Sequence, residues 1–106
     1  MADPADYLPD IRRYDALADA AIVERIVKYL GVALHNRDSS LVACTDEKEV
    51  ARVAERWCER KLGVHDQRRN ETAVRMVCET MAGERAKSRV TFYYLVAKQL
   101  DRLEAI

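Results

Sequence analysis

The side chains in this sequence that could do chemistry are three cysteines, two histidines, a row of arginines and two polar turns. Cys44, Cys58 and Cys78 are separated by fourteen and twenty residues. This odd set has neither the paired C-x-x-C spacing of a zinc site nor the even count of a disulfide framework. It predicts reduced thiols, no internal disulfide and no bound metal. Cys58 and Cys78 fall inside apolar helical patterns, where a free cysteine packs as a small hydrophobe. Cys44 precedes a helix start at Thr45 or Asp46, where unpaired amides would lower a thiol pKa, so it is the candidate for a thiol-dependent enzyme or redox regulator. His35 and His65 each follow a helix end, where a cation meets the negative pole of the helix dipole, a structural role. A triad or metal site would need one of them to converge with Asp38, Cys44 or Asp66, and nothing in the spacing asks for it. The three isolated glycines cannot form a phosphate loop. No catalytic residue, cofactor or metal ligand is therefore predicted.

Lys48, Arg52, Arg56 and Arg60 stand four apart, a ridge that could follow phosphates. Glu49, Glu55 and Glu59 lie three residues from Arg52, Arg52 and Arg56, so the expectation is a solvated face carrying its own counter-charges. Two polar segments stand out. Asn36-Arg37-Asp38-Ser39-Ser40 gathers side chains that bond nearby backbone, and Arg85-Ala86-Lys87-Ser88-Arg89 leads into an apolar run. A working surface is predicted where they meet, made by Asn36, Arg37, Asp38 and Ser39 with Lys87, Ser88 and Arg89. The Lys87-Ser88-Arg89 turn would hold an anion or acidic partner on helix-start amides, and Asp38 would pair with Arg89 or Lys87.

These segments must be positioned by helices. Leu8, Ile11 and Tyr14 recur at helical spacing and predict a short helix over 7–14, with Pro9 in its opening turn. Asp19 caps a second helix carrying Ile22, Val23, Ile26, Val27 and Leu30, which Gly31 ends. Leu41-Val42-Ala43 reads as a brief turn. Asp46 and Glu49 form an acidic version of a capping box for a helix over 46–62, closed by Gly63. Asp66 caps a fourth helix bearing Ala73, Val74, Val77, Cys78 and Met81, whose start could slip to Asn70 and which ends near Gly83. Ser88 opens the last helix. Its Val90-Thr91-Phe92-Tyr93-Tyr94-Leu95-Val96 run favours strand in isolation, yet it flows without a turn through Leu100 to Leu103 and has no convincing second strand to pair with. A helix apolar nearly all round belongs at the centre. The predicted fold class is all-α, a compact bundle of about five helices around the C-terminal one, with Ile26, Trp57, Val77, Phe92, Tyr93 and Val96 in the core.

The 106 residues carry 18 basic and 18 acidic side chains and no linker, which predicts a single domain over 1–106. Residues 1–50 carry a net charge of −4 and residues 51–106 one of +4, an asymmetry that internal pairing would absorb. The neutral total argues against nucleic acid. No apolar stretch reaches bilayer length, and the acidic opening is unlike a signal peptide, so a cytoplasmic protein without membrane contact is expected.

Three strings, N-R-D-S-S-L-V at 36–42, W-x-x-x-K-L-G at 57–63 and K-S-R-V-T-F-Y-Y-L at 87–95, resemble a family of small bacterial proteins known as a domain of unknown function. The resemblance spans nearly the whole chain and implies an all-helical fold. It carries no activity, cofactor or catalytic residue with it. The expected function is thus a non-enzymatic module that binds a protein partner or itself. The alternatives are nucleic-acid or anion binding, and thiol chemistry at Cys44.

Overall fold

The computed structural model describes residues 3–106; Met1 and Ala2, the start of the acidic opening, lie outside them. Helix α1 spans Pro4–Arg12, starting earlier than its apolar spacing predicts because Asp3 accepts from the Ala5 amide and Pro4 suits the first helical position. Helix α2 spans Ala20–Leu30, with Asp19 as its cap and Gly31 ending it at φ 48°, in the left-handed region. A 3-10 turn follows over Gly31–His35. Helix α3 spans Glu47–Arg52, capped by Asp46, and runs directly into a π-helical segment over Val53–Lys61. Helix α4 spans Gln67–Thr80 from its cap Asp66, so its start does not slip to Asn70. Asn70 is instead buried, its amide donating to the Val64 carbonyl at 2.8 Å.

Helix α5, Arg89–Gln99, is the axis of the molecule, with every residue from Val90 to Ala97 buried. It packs against α1, α2, α4 and the π-helical segment. All six predicted core residues are buried, and Trp57, Phe92, Ile26 and Val96 are wholly inside. Burying a polar group requires a partner, and α5 finds several. The Trp57 indole donates to the Tyr93 carbonyl at 2.9 Å. Thr91 donates to Asp10 and Tyr94 to Asp15, both at 2.6 Å, which ties α5 to α1 and the turn after it. The helix stops at Gln99 instead of running through Leu103, because Asp101 takes φ 57° and the Arg102 amide turns back to the Ala97 carbonyl at 2.8 Å. Leu100 is buried nonetheless, just past the helix end.

Two short strands replace features read differently from sequence. β1 (Leu41–Val42), expected as a turn, pairs antiparallel with β2 (Lys87–Ser88) in the register Leu41 to Ser88 and Val42 to Lys87. Each has two residues, too few for a period-2 pattern to show. The opposite charges of the two halves meet in space: Arg75 pairs with Glu47, Arg89 with Glu49 and Lys98 with Asp15, while Arg13 with Glu84 runs in the reverse sense.

Candidate binding cleft

The Asn36–Ser40 connection is built by its own polar groups. Asn36 Oδ1 accepts from the Asp38 amide at 2.9 Å, Ser39 Oγ donates to the Ala33 carbonyl at 2.6 Å, and Ser40 Oγ donates to the Arg37 carbonyl at 2.8 Å. This is the local backbone bonding that Asn and Ser favour in turns. The β1–β2 pairing then brings the connection against the start of α5, where the Arg89 amide donates to the Ser40 carbonyl at 2.8 Å. Ser39 and Ser40 of the connection thus meet Arg89, and Asp38 borders the same space.

The expected partner of Arg89 is wrong. Arg89 pairs with Glu49, not Asp38, and Lys87 turns to the Glu84 carbonyl at 2.8 Å. Glu49, whose spacing from Asp46 implies half of a capping box, is instead buried and faces Arg89 and Arg52. Its side chain is 9% exposed and that of Arg89 is 12% exposed, so this ion pair is largely out of water. An arginine has five N–H donors in a planar fork, and Arg89 commits four. Nε donates to the Ser39 carbonyl at 2.6 Å, one terminal nitrogen to the Tyr93 hydroxyl at 3.2 Å, and the other to the Leu41 carbonyl at 3.0 Å and to Glu49. Burial opposes the guanidinium charge, but Tyr93 and Glu49 outweigh it and raise its pKa. Burial likewise raises the Tyr93 hydroxyl, against the pull of Arg89. Ser88 occupies the cap position of α5 without bonding an amide, and its hydroxyl is buried with no hydrogen-bond partner.

Beside this hub opens a cleft of about 560 Å³. Asp38 and Ser39 line one side, Ala43 and Asp46 the turn before α3, Glu49 and Arg52 α3 itself and Arg56 the π-helical segment, with Arg89 and Tyr93 on α5. Below it a row of aromatic rings passes through buried Tyr93 and Trp57 and comes out at exposed Tyr29. Arg89 sits 5.6 Å from the Tyr93 ring centre, Tyr93 lies 4.7 Å from Trp57, and Trp57 lies 5.2 Å from Tyr29. Of the seven predicted residues, Asp38, Ser39 and Arg89 line the cleft; Asn36, Arg37, Lys87 and Ser88 do not.

Sequence reading missed Arg52 and Arg56 as cleft residues because it treated their segment as a uniform α-helix. In the π-helical stretch the neighbours are i and i+5, as the Leu62 amide donating to the Trp57 carbonyl shows. Glu55 accordingly pairs with Arg60 at 2.8 Å and not with Arg52, and Glu59 lies 3.9 Å from His65. Arg52 retains Glu49 at 3.1 Å, while the Arg56 guanidinium makes no ion pair or hydrogen bond among the described residues.

The cysteines depart from expectation as well. Cys44 and Cys78 form a disulfide, with Cα atoms 5.9 Å apart, and both are partly buried. Spacing along the chain hid this pairing. α3 with its π-helical continuation and α4 form a helical hairpin, so the residue before the first helix meets the end of the second. Cys58 is wholly buried and free, and burial pushes its thiol up to about 12. Among the described residues no three His, Cys, Asp or Glu side chains converge as metal ligands.

An all-α protein built on a buried central helix, with an arginine-walled polar cleft at that helix's start, is the class these features define. The chain belongs to the family described as protein of unknown function (DUF2853), whose model matches residues 6–104. A search of curated protein sequences finds no match.

Proposed function

We propose that this protein is a binding module, without catalysis of its own, that seats a carboxylate-bearing segment of a partner protein in the cleft between the Asn36–Ser40 connection and α3. The observation that carries this reading is the uncompensated Arg56 guanidinium beside Arg52, on a wall whose opposite side is held in place by the Arg89 hub. A pre-organised frame lowers the ordering cost of binding, and arginine forks match carboxylates. Asp38 and Asp46 on the same cleft favour a segment with its acidic group at one point over a densely anionic polymer.

The test is an NMR titration of the whole protein with a short glutamate-containing peptide. Amide shifts are expected to cluster at Ser39, Ala43, Arg52, Arg56 and Tyr93 and to vanish in Arg56→Glu. That variant should keep its melting temperature within a few degrees, since exposed substitutions usually cost less than about 0.5 kcal/mol. Scattered shifts, or shifts that survive the charge reversal, refute the reading.

A further inference from the structure

We infer that the Cys44–Cys78 disulfide is a thiol–disulfide exchange site that sets the shape of the cleft. Its regulatory meaning rests on the binding reading above. The turn carrying Cys44 supplies two cleft-lining residues, Ala43 and Asp46, one on each side. Within that turn the Asp46 amide donates to the Ala43 carbonyl at 3.1 Å. Its upstream end is anchored by β1 on β2 and by Arg89 on the Leu41 carbonyl. Downstream, α3 is tied to α4 by the disulfide and by Arg75 to Glu47 at 3.0 Å, an exposed pair of the kind that contributes little. Beyond that turn α3 is held by buried Val50 and by the Glu49–Arg89 pair, so breaking the disulfide releases the Cys44 turn between these anchors and β1 and leaves the Arg89 side intact.

The sulfur pair is partly buried and partly open, whereas Cys58 is sealed in the core and cannot resolve a mixed disulfide. Both reducing equivalents must come from outside. A dithiol supplies them: its thiolate attacks one sulfur, the Cys44–Cys78 bond breaks, and a mixed disulfide forms. The second thiol of the reagent then closes its own disulfide. The reagent loses two electrons and two protons, and Cys44 and Cys78 end as thiols.

The experiment compares hydrogen exchange across the full chain, air-oxidised and treated with dithiothreitol, with alkylation by iodoacetamide to count free thiols. Oxidised native protein should take up no label, and reduced native protein two, on Cys44 and Cys78. Amides of residues 43–49 should exchange at least about tenfold faster on reduction while those of α5 hold, the mark of local opening. A Cys44→Ser plus Cys78→Ser variant should match the reduced protein. The glutamate peptide should bind the reduced form at least about fivefold more weakly, the low end of ordinary coupling between sites. Two labels without reductant, unchanged exchange at 43–49, acceleration spread evenly over α5, or measurable and equal peptide affinity in both states each overturns the inference. Loss of peptide binding in both states, with local exchange still redox-dependent, counts against the cleft as a binding site and not against the exchange site.

Discussion

Replacing Arg89 with Ala removes one guanidinium from four acceptors at once: the Ser39 and Leu41 carbonyls, the Glu49 carboxylate and the Tyr93 hydroxyl. The largest loss is not the missing attraction but what stays behind, a carboxylate that is 9% exposed and shared only with half-exposed Arg52. Removing one partner of a buried pair costs about 3 to 5 kcal/mol. A domain of this size has about 5 to 15 kcal/mol in total. At about 4 to 8 °C per kcal/mol, the melting temperature should fall by roughly 12 to 40 °C. Trp57, the single tryptophan, stacks on Tyr93 and makes urea unfolding readable by fluorescence. The midpoint should drop by roughly 2 M with little change in slope.

Two companion variants separate charge from geometry. Arg89→Lys keeps the positive charge but loses the planar fork, so it should recover part of the loss and leave at least one of the two carbonyls unpaired. Glu49→Leu with Arg89→Met removes both charges and should be more stable than Arg89→Ala alone. A loss below about 1 kcal/mol in Arg89→Ala, or full recovery with Lys, would show that the hub does not hold the cleft's frame.

The other expectations follow from the same contacts. Eliminating the Cys44–Cys78 bridge by double Ser substitution should cost about 4 kcal/mol, the chain-entropy value for a loop closed across 34 residues, measured by chemical denaturation. The Tyr94 hydrogen bond, ahead of Lys98, lowers the Asp15 pKa, so its stabilisation is present above about pH 4 and lost as pH falls through the folded value; Asp15→Asn should flatten that acid limb. Burial raises Cys58 from its ordinary value near 9, so unfolding, which frees the thiol to ionise, should gain about 1.4 kcal/mol per pH unit between about 9 and 12, a slope absent in Cys58→Ala. Duplex and single-stranded DNA should not be retained in gel shifts at low salt; retention lost on Arg52→Glu plus Arg56→Glu would overturn this.

What could be read from the chain was whatever neighbours decide. Asp19, Asp46 and Asp66 each accept from an amide two or three residues on, so three helix starts were visible as local chemistry. The central helix was visible because Val90 to Ala97 leave no polar face to expose. The two candidate segments were visible as polar punctuation between apolar runs. What could not be read was which groups meet across long separations: Glu49 and Ser39 reach Arg89 over 40 and 50 residues, and Cys44 reaches Cys78 over 34. Asp38 is the partner that local sequence suggests for Arg89, because both belong to the predicted surface. Glu49 prevails because it projects from α3, which lies alongside that surface, and is dry enough for the pairing to matter.

The change from α- to π-helix at Val53 links the fold to the cleft. On a continuous α-helix Glu59 would stand within reach of Arg56, and the ridge would neutralise itself as its spacing implies. Widening the turn hands Glu55 to Arg60 and leaves Glu59 beside His65, so Arg56 is left without a carboxylate partner among the described residues, on the turn that borders the cleft. The same segment points Trp57 inward to bond the Tyr93 carbonyl beneath the cleft floor. One irregular stretch thus does two jobs that a regular helix would set against each other: it anchors the aromatic core, and it presents a cation with nothing inside the protein to pair with. That is why the basic ridge, read as inert from its spacing, supplies the residue on which the proposed binding depends.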